Sequence, residues 1–200
     1  MVRGGVVAGL RRGWILRPDA LDLRAYTLAP GFIDTHIHGC CGHDTNTSSA
    51  TGIRGLSEKL ARYGVTGFLP TTVTADHEAL LKIAKTVSGY VEEAGGELLG
   101  AEPLGLHMEG PYINPEMRGA QNPEYIRPPS IEEFDEYVEA SRGTLKVMDL
   151  APELEGALDL SPHASRRGVA IGLGHTNATY EEALRAIAAG ASRATHVFNA

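Results

Sequence analysis

The sequence predicts an α/β fold: a (β/α)8-type barrel represented by about six βα units over residues 29–200, with part of a small β-domain over residues 1–28. Three observations carry this. Short apolar runs recur along the chain, each followed by a loop and an amphipathic stretch before the next run begins, as parallel strands with helical crossovers require. The runs are nearly continuous in apolar residues, which suits strands covered on both faces. No Gly-rich phosphate loop follows the first run, which weakens the rival reading, an open doubly wound sheet, without removing it.

Residues 1–28 are poor in helix signals. Gly4, Gly5, Gly9 and Gly13 separate apolar pieces such as Val6-Val7-Ala8 and Trp14-Ile15-Leu16, which predicts a few short strands and turns. Pro30 and Gly31 punctuate the chain before the first long run, residues 32–38. A helix is expected over 49–63, with Ile53, Leu56 and Leu60 on one face and Gly64 as its stop. The second run, 67–73, contains Pro70, an awkward residue for an inner strand. Asp76 is placed to cap a helix that carries Leu80, Leu81, Ile83, Ala84 and Val87 and ends near Gly95-Gly96. The third run, 104–109, is broken by Gly110-Pro111 and opens a loop over 112–129, long enough to suggest a functional segment. Ser130 starts a helix over 131–140, with Glu133 placed for a capping box. The fourth run is 145–150, followed by a helix over 153–167 that Pro162 would divide. The fifth run is 169–174. A helix over 180–189 follows, boxed by Thr179 and Glu182 and stopped by Gly190, and the sixth run is 193–197.

Polar residues at the ends of these runs carry the chemistry. Alternation along a strand puts His36 and His38 on one face, with Cα atoms about 6.5–7 Å apart, so both imidazoles can reach one metal ion. Glu109 ends the third run, His175 follows the fifth and His196 ends the sixth. In a parallel barrel all strand C-termini open on one face, the face that carries active sites. Each residue alone has a plain reading, as a hydrogen-bonded core histidine or a solvated glutamate. Five metal-ligand side chains at one mouth point instead to one or two zinc-like divalent ions. Such an ion generates hydroxide for attack on an amide or ester, and a carboxylate must move the proton. No residue is an obvious candidate for that base. Asp34 lies deeper in the first strand and suits the orientation of a ligand. His107 shares the face of Glu109 and suits the core or the lining of the site. His43 reads as loop structure, His77 and His163 as surface, and Tyr112 as a loop anchor or a platform for a sugar face.

Composition removes several function classes. The net charge is −7 with scattered Lys and Arg, so nucleic acid is not an expected partner. No apolar run is long enough for a membrane span, and the first residues lack the pattern of a secretory signal. The two cysteines, Cys40 and Cys41, are adjacent and cannot staple a fold, which suits reduced thiols in the cytoplasm.

The segment Pro30-Gly31-Phe32-Ile33-Asp34-Thr35-His36-Ile37-His38-Gly39 resembles the first-strand signature of the amidohydrolase superfamily. More narrowly, Leu106-His107-Met108-Glu109-Gly110-Pro111-Tyr112-Ile113-Asn114, Arg118-Gly119-Ala120 and Asn122-Pro123 are similar to the N-acetylglucosamine-6-phosphate deacetylase family. So are Gly174-His175-Thr176-Asn177-Ala178 and Thr195-His196-Val197-Phe198-Asn199-Ala200, and the resemblance runs from about Leu28 to the end. It implies removal of acetate from a 6-phosphorylated amino sugar by a cytoplasmic, zinc- or iron-dependent barrel enzyme that is a homodimer at full length. It implies Glu109, His175 and His196 as ligands of the main metal, and His36 and His38 as ligands of a second. Ala120, Gln121, Asn199 and Ala200 fall where the family contacts sugar or phosphate. Many members have His where this chain has Gln121, a neutral amide that cannot carry charge. The family's general-base Asp, a phosphate-binding Arg and its last two strands are expected beyond Ala200, so the 200 residues alone are expected to bind metal and turn over little. Two rival readings remain: a cyclic-amide hydrolase of the dihydroorotase kind, for which Lys146 sits too early in the fourth run to bridge metals, and a non-catalytic metal- or sugar-phosphate-binding fragment.

Overall fold

The computed structural model describes residues 2, 3, 6–9, 13, 21, 24–47, 49–93 and 100–199. It divides into two units, Met1–Pro30 and Gly31–Ala200. In the first, β1 (Val2–Arg3) pairs antiparallel with β2 (Val6–Val7), short strands between glycines. The apolar piece Trp14-Ile15-Leu16 lies outside the described residues.

The second unit starts with β3 (Phe32–Ile37) and a small antiparallel hairpin, β4 (Gly39–Cys40) with β5 (His43–Asp44). The chain continues through α1 (Ala50–Ala61), β6 (Val65–Thr72), α2 (His77–Glu93), β7 (Glu102–Pro103) and β8 (Leu106–Glu109). After the long loop come α3 (Ile131–Ala140), β9 (Leu145–Leu150), α4 (Ala157–Arg166), β10 (Ala170–Leu173), α5 (Tyr180–Ala188) and β11 (Ala191–Ala194).

Six strands lie in sequential order, β3-β6-β8-β9-β10-β11, and every neighbouring pair is parallel. The order never reverses, so the sheet has no topological switch point of the doubly wound kind. It also curls. Arg193 on β11 donates to the Thr35 hydroxyl on β3 at 3.0 Å, which brings the first and last strands within one side chain's reach. The fold is thus α/β, a partial (β/α) barrel, and its helices bury the stripes read from sequence. Ile53, Leu56 and Leu60 of α1, and Leu80, Ile83, Ala84 and Val87 of α2, join Phe134 and Tyr137 of α3 in one core with the strands.

Several elements differ from expectation. Pro70 lies inside β6; the register against β3 slips there, and the Thr71 hydroxyl accepts the Ile37 amide at 3.0 Å. α2 is described to Glu93, and its expected stop at Gly95-Gly96 lies outside the described residues. α4 starts at Ala157, four residues later than expected, because Gly156 enters the left-handed region (φ +85°). Pro162 sits within α4 rather than dividing it. The sixth strand ends at Ala194, so His196 sits in the turn beyond it. At α3 the Ser130 hydroxyl accepts the Glu133 amide, but the Glu133 carboxylate is engaged by Arg127 and returns no bond to the cap. The box at Thr179 and Glu182 is complete. No described helix is long and apolar enough to cross a membrane.

Candidate metal centre

The strand ends deliver their polar side chains to one point. Glu109 is the last residue of β8, and its side chain is only 2% exposed. Its Oε1 lies 3.3 Å from His36 Nε2, 3.2 Å from His175 Nε2 and 2.5 Å from His196 Nε2. Its Oε2 lies 3.1 Å from His38 Nε2 and accepts from Gln121 Nε2 at 2.7 Å. His36 and His38 share a face as strand alternation requires, their Nε2 atoms 3.3 Å apart. Four of the five residues expected as ligands therefore converge on the carboxylate of the fifth.

Local structure fixes how the imidazoles present themselves. His38 Nδ1 donates to the Thr71 carbonyl at 3.1 Å, and His175 Nδ1 to the Met117 carbonyl at 2.9 Å. A carbonyl oxygen only accepts, so Nδ1 carries hydrogen and Nε2 is turned toward Glu109. His175 and His196 both adopt left-handed backbone, φ +51° and +53°. For residues with a Cβ this costs roughly 1–2 kcal/mol each, a strain found where geometry serves a site.

The electrostatics follow from this packing. Burial pushes the Glu109 carboxyl up, but hydrogen bonds from His175, His36 and His38 outweigh it and hold the group well below the usual carboxylate range. Glu109 in turn raises His38, against burial and with help from the Thr71 carbonyl. It raises His175 likewise, helped by the Met117 carbonyl. A buried anion ringed by imidazole nitrogens at 2.5–3.3 Å is a donor set suited to a first-row divalent ion, and His36, Glu109 and His196 form a candidate metal-binding group.

The remaining site predictions separate. Gln121, expected against substrate, is 5% exposed and bridges Glu109 to the Thr74 amide, which donates to Gln121 Oε1 at 2.6 Å. Ala120 is exposed beside it. Asn199 is exposed, its amide bonded to the Val197 carbonyl at 3.3 Å, and Ala200 lies outside the described residues. Asp34 accepts the backbone amide of His36 at 3.1 Å and so shapes the strand rather than a ring. Tyr112 is wholly buried, its hydroxyl donating to Glu133 at 2.8 Å, which makes it a loop anchor and removes the sugar-platform alternative. His77 and His163, read as surface, are half-buried and hydrogen-bonded to Glu136 and Asp135. Lys146 points away, donating to the Gly143 carbonyl at 3.0 Å.

One residue escaped the sequence reading. Asp149 on β9 is the register partner of Glu109 and is wholly buried, 3.0 Å from His107 Nε2. The signal was available: Asp149 stands one place before the end of its apolar run, close to the pattern of Glu109, which ends its own.

Comparison with known proteins places the chain in a family. The model of the amidohydrolase family matches residues 27–200. The N-acetylglucosamine-6-phosphate deacetylase of Bacillus subtilis (strain 168) is 38% identical over 173 residues, covering 86% of this chain and 44% of its own. The N-acetylgalactosamine-6-phosphate deacetylase of Escherichia coli O157:H7 is 40% identical over 202 residues, covering 99% and 51%. The crystal structure of the N-acetyl-D-glucosamine-6-phosphate deacetylase of Mycobacterium smegmatis superposes with a TM-score of 0.78 at 34% identity, over 85% of this chain and 43% of that one. The chain spans about half the length of the curated relatives it matches.

Proposed function

The chain belongs to the amidohydrolase family, and from that premise we propose that the whole protein hydrolyses the acetamide of N-acetylglucosamine 6-phosphate, releasing acetate and the amino sugar phosphate. The observation that carries this is the Glu109 carboxylate at the mouth of the barrel, ringed by His36, His38, His175 and His196. The family is metal-dependent, and this nitrogen-rich set suits zinc, with iron as the alternative. Glu109, His175 and His196 are proposed to hold the main ion, with His36 and His38 able to hold a second. When bound, the ion lowers the pKa of a water molecule and polarises the amide carbonyl. The chain's own residues prepare that chemistry. Thr71 and Met117 carbonyls orient His38 and His175, and Gln121 fixes one oxygen of Glu109. Ala120, Asn199 and Ala200 are proposed sugar or phosphate contacts, and the whole protein is proposed to work in the cytoplasm as a homodimer.

A second reading is the galacto epimer as substrate, the sugar phosphate named for the Escherichia coli relative at 40% identity. Acetate release from both sugar phosphates by the zinc-loaded whole protein, with Glu109→Gln beside it, tests the proposal. Release that vanishes in the variant is expected, and the faster epimer names the substrate. No release from either would overturn the deacetylase reading.

A further inference from the structure

We propose that His36, His107 and Asp149 form a further cation position beside the Glu109 cluster, level with it at Asp149 and deeper in the barrel at His107, suited to a divalent first-row transition ion. His107 stands two residues before Glu109 on β8, about 6.6 Å further into the barrel. Both His107 and Asp149 are wholly buried.

The argument starts from hydrogen bonding. His107 Nδ1 donates to the Thr35 carbonyl at 3.0 Å. His38 and His175 are turned by backbone carbonyls in the same way, and both point Nε2 into the metal cluster. An imidazole whose other nitrogen is tied to a carbonyl is the usual form of a metal ligand. His107 Nε2 faces Asp149 Oδ2 at 3.0 Å. Two lone pairs cannot face each other at that distance unless something positive lies between them. Either a second proton or a cation fills that role.

The surroundings favour the cation. Asp149 Oδ1 is buried without a hydrogen-bond partner, as is Thr195 Oγ1. Both sit against Gly172, where a built Cβ would fall 2.1 Å from Oδ1 and 3.3 Å from Oγ1. The backbone has thus left room for an oxygen that a proton on His107 does not satisfy. His36 completes the set. Its ring meets His107 edge-on with centroids 4.7 Å apart, and one ligand atom from each of His36, His107 and Asp149 lies within 4.8 Å of the others. Ligand atoms around tetrahedral zinc stand roughly 3.4 Å apart, so 3.0 Å between Nε2 and Oδ2 needs only a small outward shift. Two nitrogens and one carboxylate oxygen suit zinc, cobalt or iron and disfavour magnesium or calcium.

The position shares only His36 with the Glu109 cluster, which keeps His38, His175 and His196, so the two metal assignments fail separately. The test is zinc content after gel filtration for wild type, Asp149→Asn, Glu109→Gln and the double variant. Wild type should retain one equivalent more than Asp149→Asn, and the equivalent surviving in Glu109→Gln should be lost in the double variant. Equal zinc in wild type and Asp149→Asn overturns the further position while leaving the Glu109 cluster intact, and wild-type protein without zinc overturns both. If Asp149→Asn does not fold, wild-type crystals grown with zinc decide the matter. An anomalous peak bonded to His107 Nε2 and an Asp149 oxygen supports the position; a direct His107–Asp149 contact with no peak rejects it.

Discussion

Gln121 shows how a single side chain can carry a role that sequence resemblance assigns elsewhere. The amide cannot flip. Thr74 N–H is a donor and demands the oxygen, so the Gln121 amine must face Glu109. Gln121 thereby ties the segment after β6 to the end of β8 and holds Oε2 of Glu109, leaving Oε1 to His36, His175 and His196. Partners that orient a metal ligand are typically worth 10–100-fold in metal affinity. Gln121→Ala should weaken zinc binding by about that factor, read by competition with a chromogenic chelator. An unchanged affinity would return Gln121 to a purely substrate-facing role. The resemblance placed Gln121 at the site but not on Glu109, because a loop returning over 12 residues is fixed by tertiary packing. His36, His38 and Glu109 needed no such knowledge: strand period and strand ends located them.

At the scale of elements, two helix starts read alike in sequence and differ in the structure for an electrostatic reason. Thr179 and Glu182 close their capping box because Glu182 Oε2 is held by Thr179, while the Arg185 guanidinium stands 3.9 Å from the other oxygen, beyond hydrogen-bond reach. Glu133 at α3 is taken by Arg127, whose Nε lies 2.7 Å away, and by the hydroxyls of Tyr112 and Tyr137. Arg127 also donates to the Ala75 and Tyr125 carbonyls, so this network pins the loop over 112–129 that carries Gln121. Burial opposes charge on Glu133, but the Arg127 and Tyr112 hydrogen bonds overcome it and hold the carboxyl below its ordinary value. A depressed carboxyl contributes stability that is complete above its unfolded value near 4.5 and drains away as pH falls through the folded value. Glu133→Gln should therefore cost about 1–3 kcal/mol at neutral pH, and the gap to wild type should close as pH drops below that unfolded value. Urea unfolding across pH 3–7 measures it (about four pH units); a gap independent of pH would mean the charge contributes nothing. The pattern of sequence could place Glu133 at the third helical position, but not Arg127 beside it.

Across the whole molecule, six apolar runs announced six parallel strands, because strands buried on both faces have little freedom in composition. Curl was legible only as a preference for a barrel over an open sheet, since it comes from twist and register and not from any one run. Its consequence is that Glu109, Asp149 and His175 at the barrel mouth, and His107 beneath them, are all buried. Burying that many polar groups works against folding unless each is paired, and Asp149, Thr72, Thr74 and Thr195 retain unpartnered side-chain atoms. A cation that binds this native arrangement and not the unfolded chain must therefore stabilise it by mass action. At a hundredfold excess over its dissociation constant the gain is about 2.7 kcal/mol. For a chain of this size that raises the melting temperature by roughly 5–11 °C. Zinc should produce this shift in a thermal melt and a chelator should reverse it. Magnesium should produce little, because imidazoles dominate the donor set. Glu109→Gln should lose the part of the response that comes from the carboxylate on which four imidazoles converge, keeping only what the Asp149 position supplies. A melting temperature indifferent to zinc would mean that the histidines and Glu109 form a hydrogen-bonded network sufficient in itself, and the metal-dependent reading of the barrel mouth would fall with it.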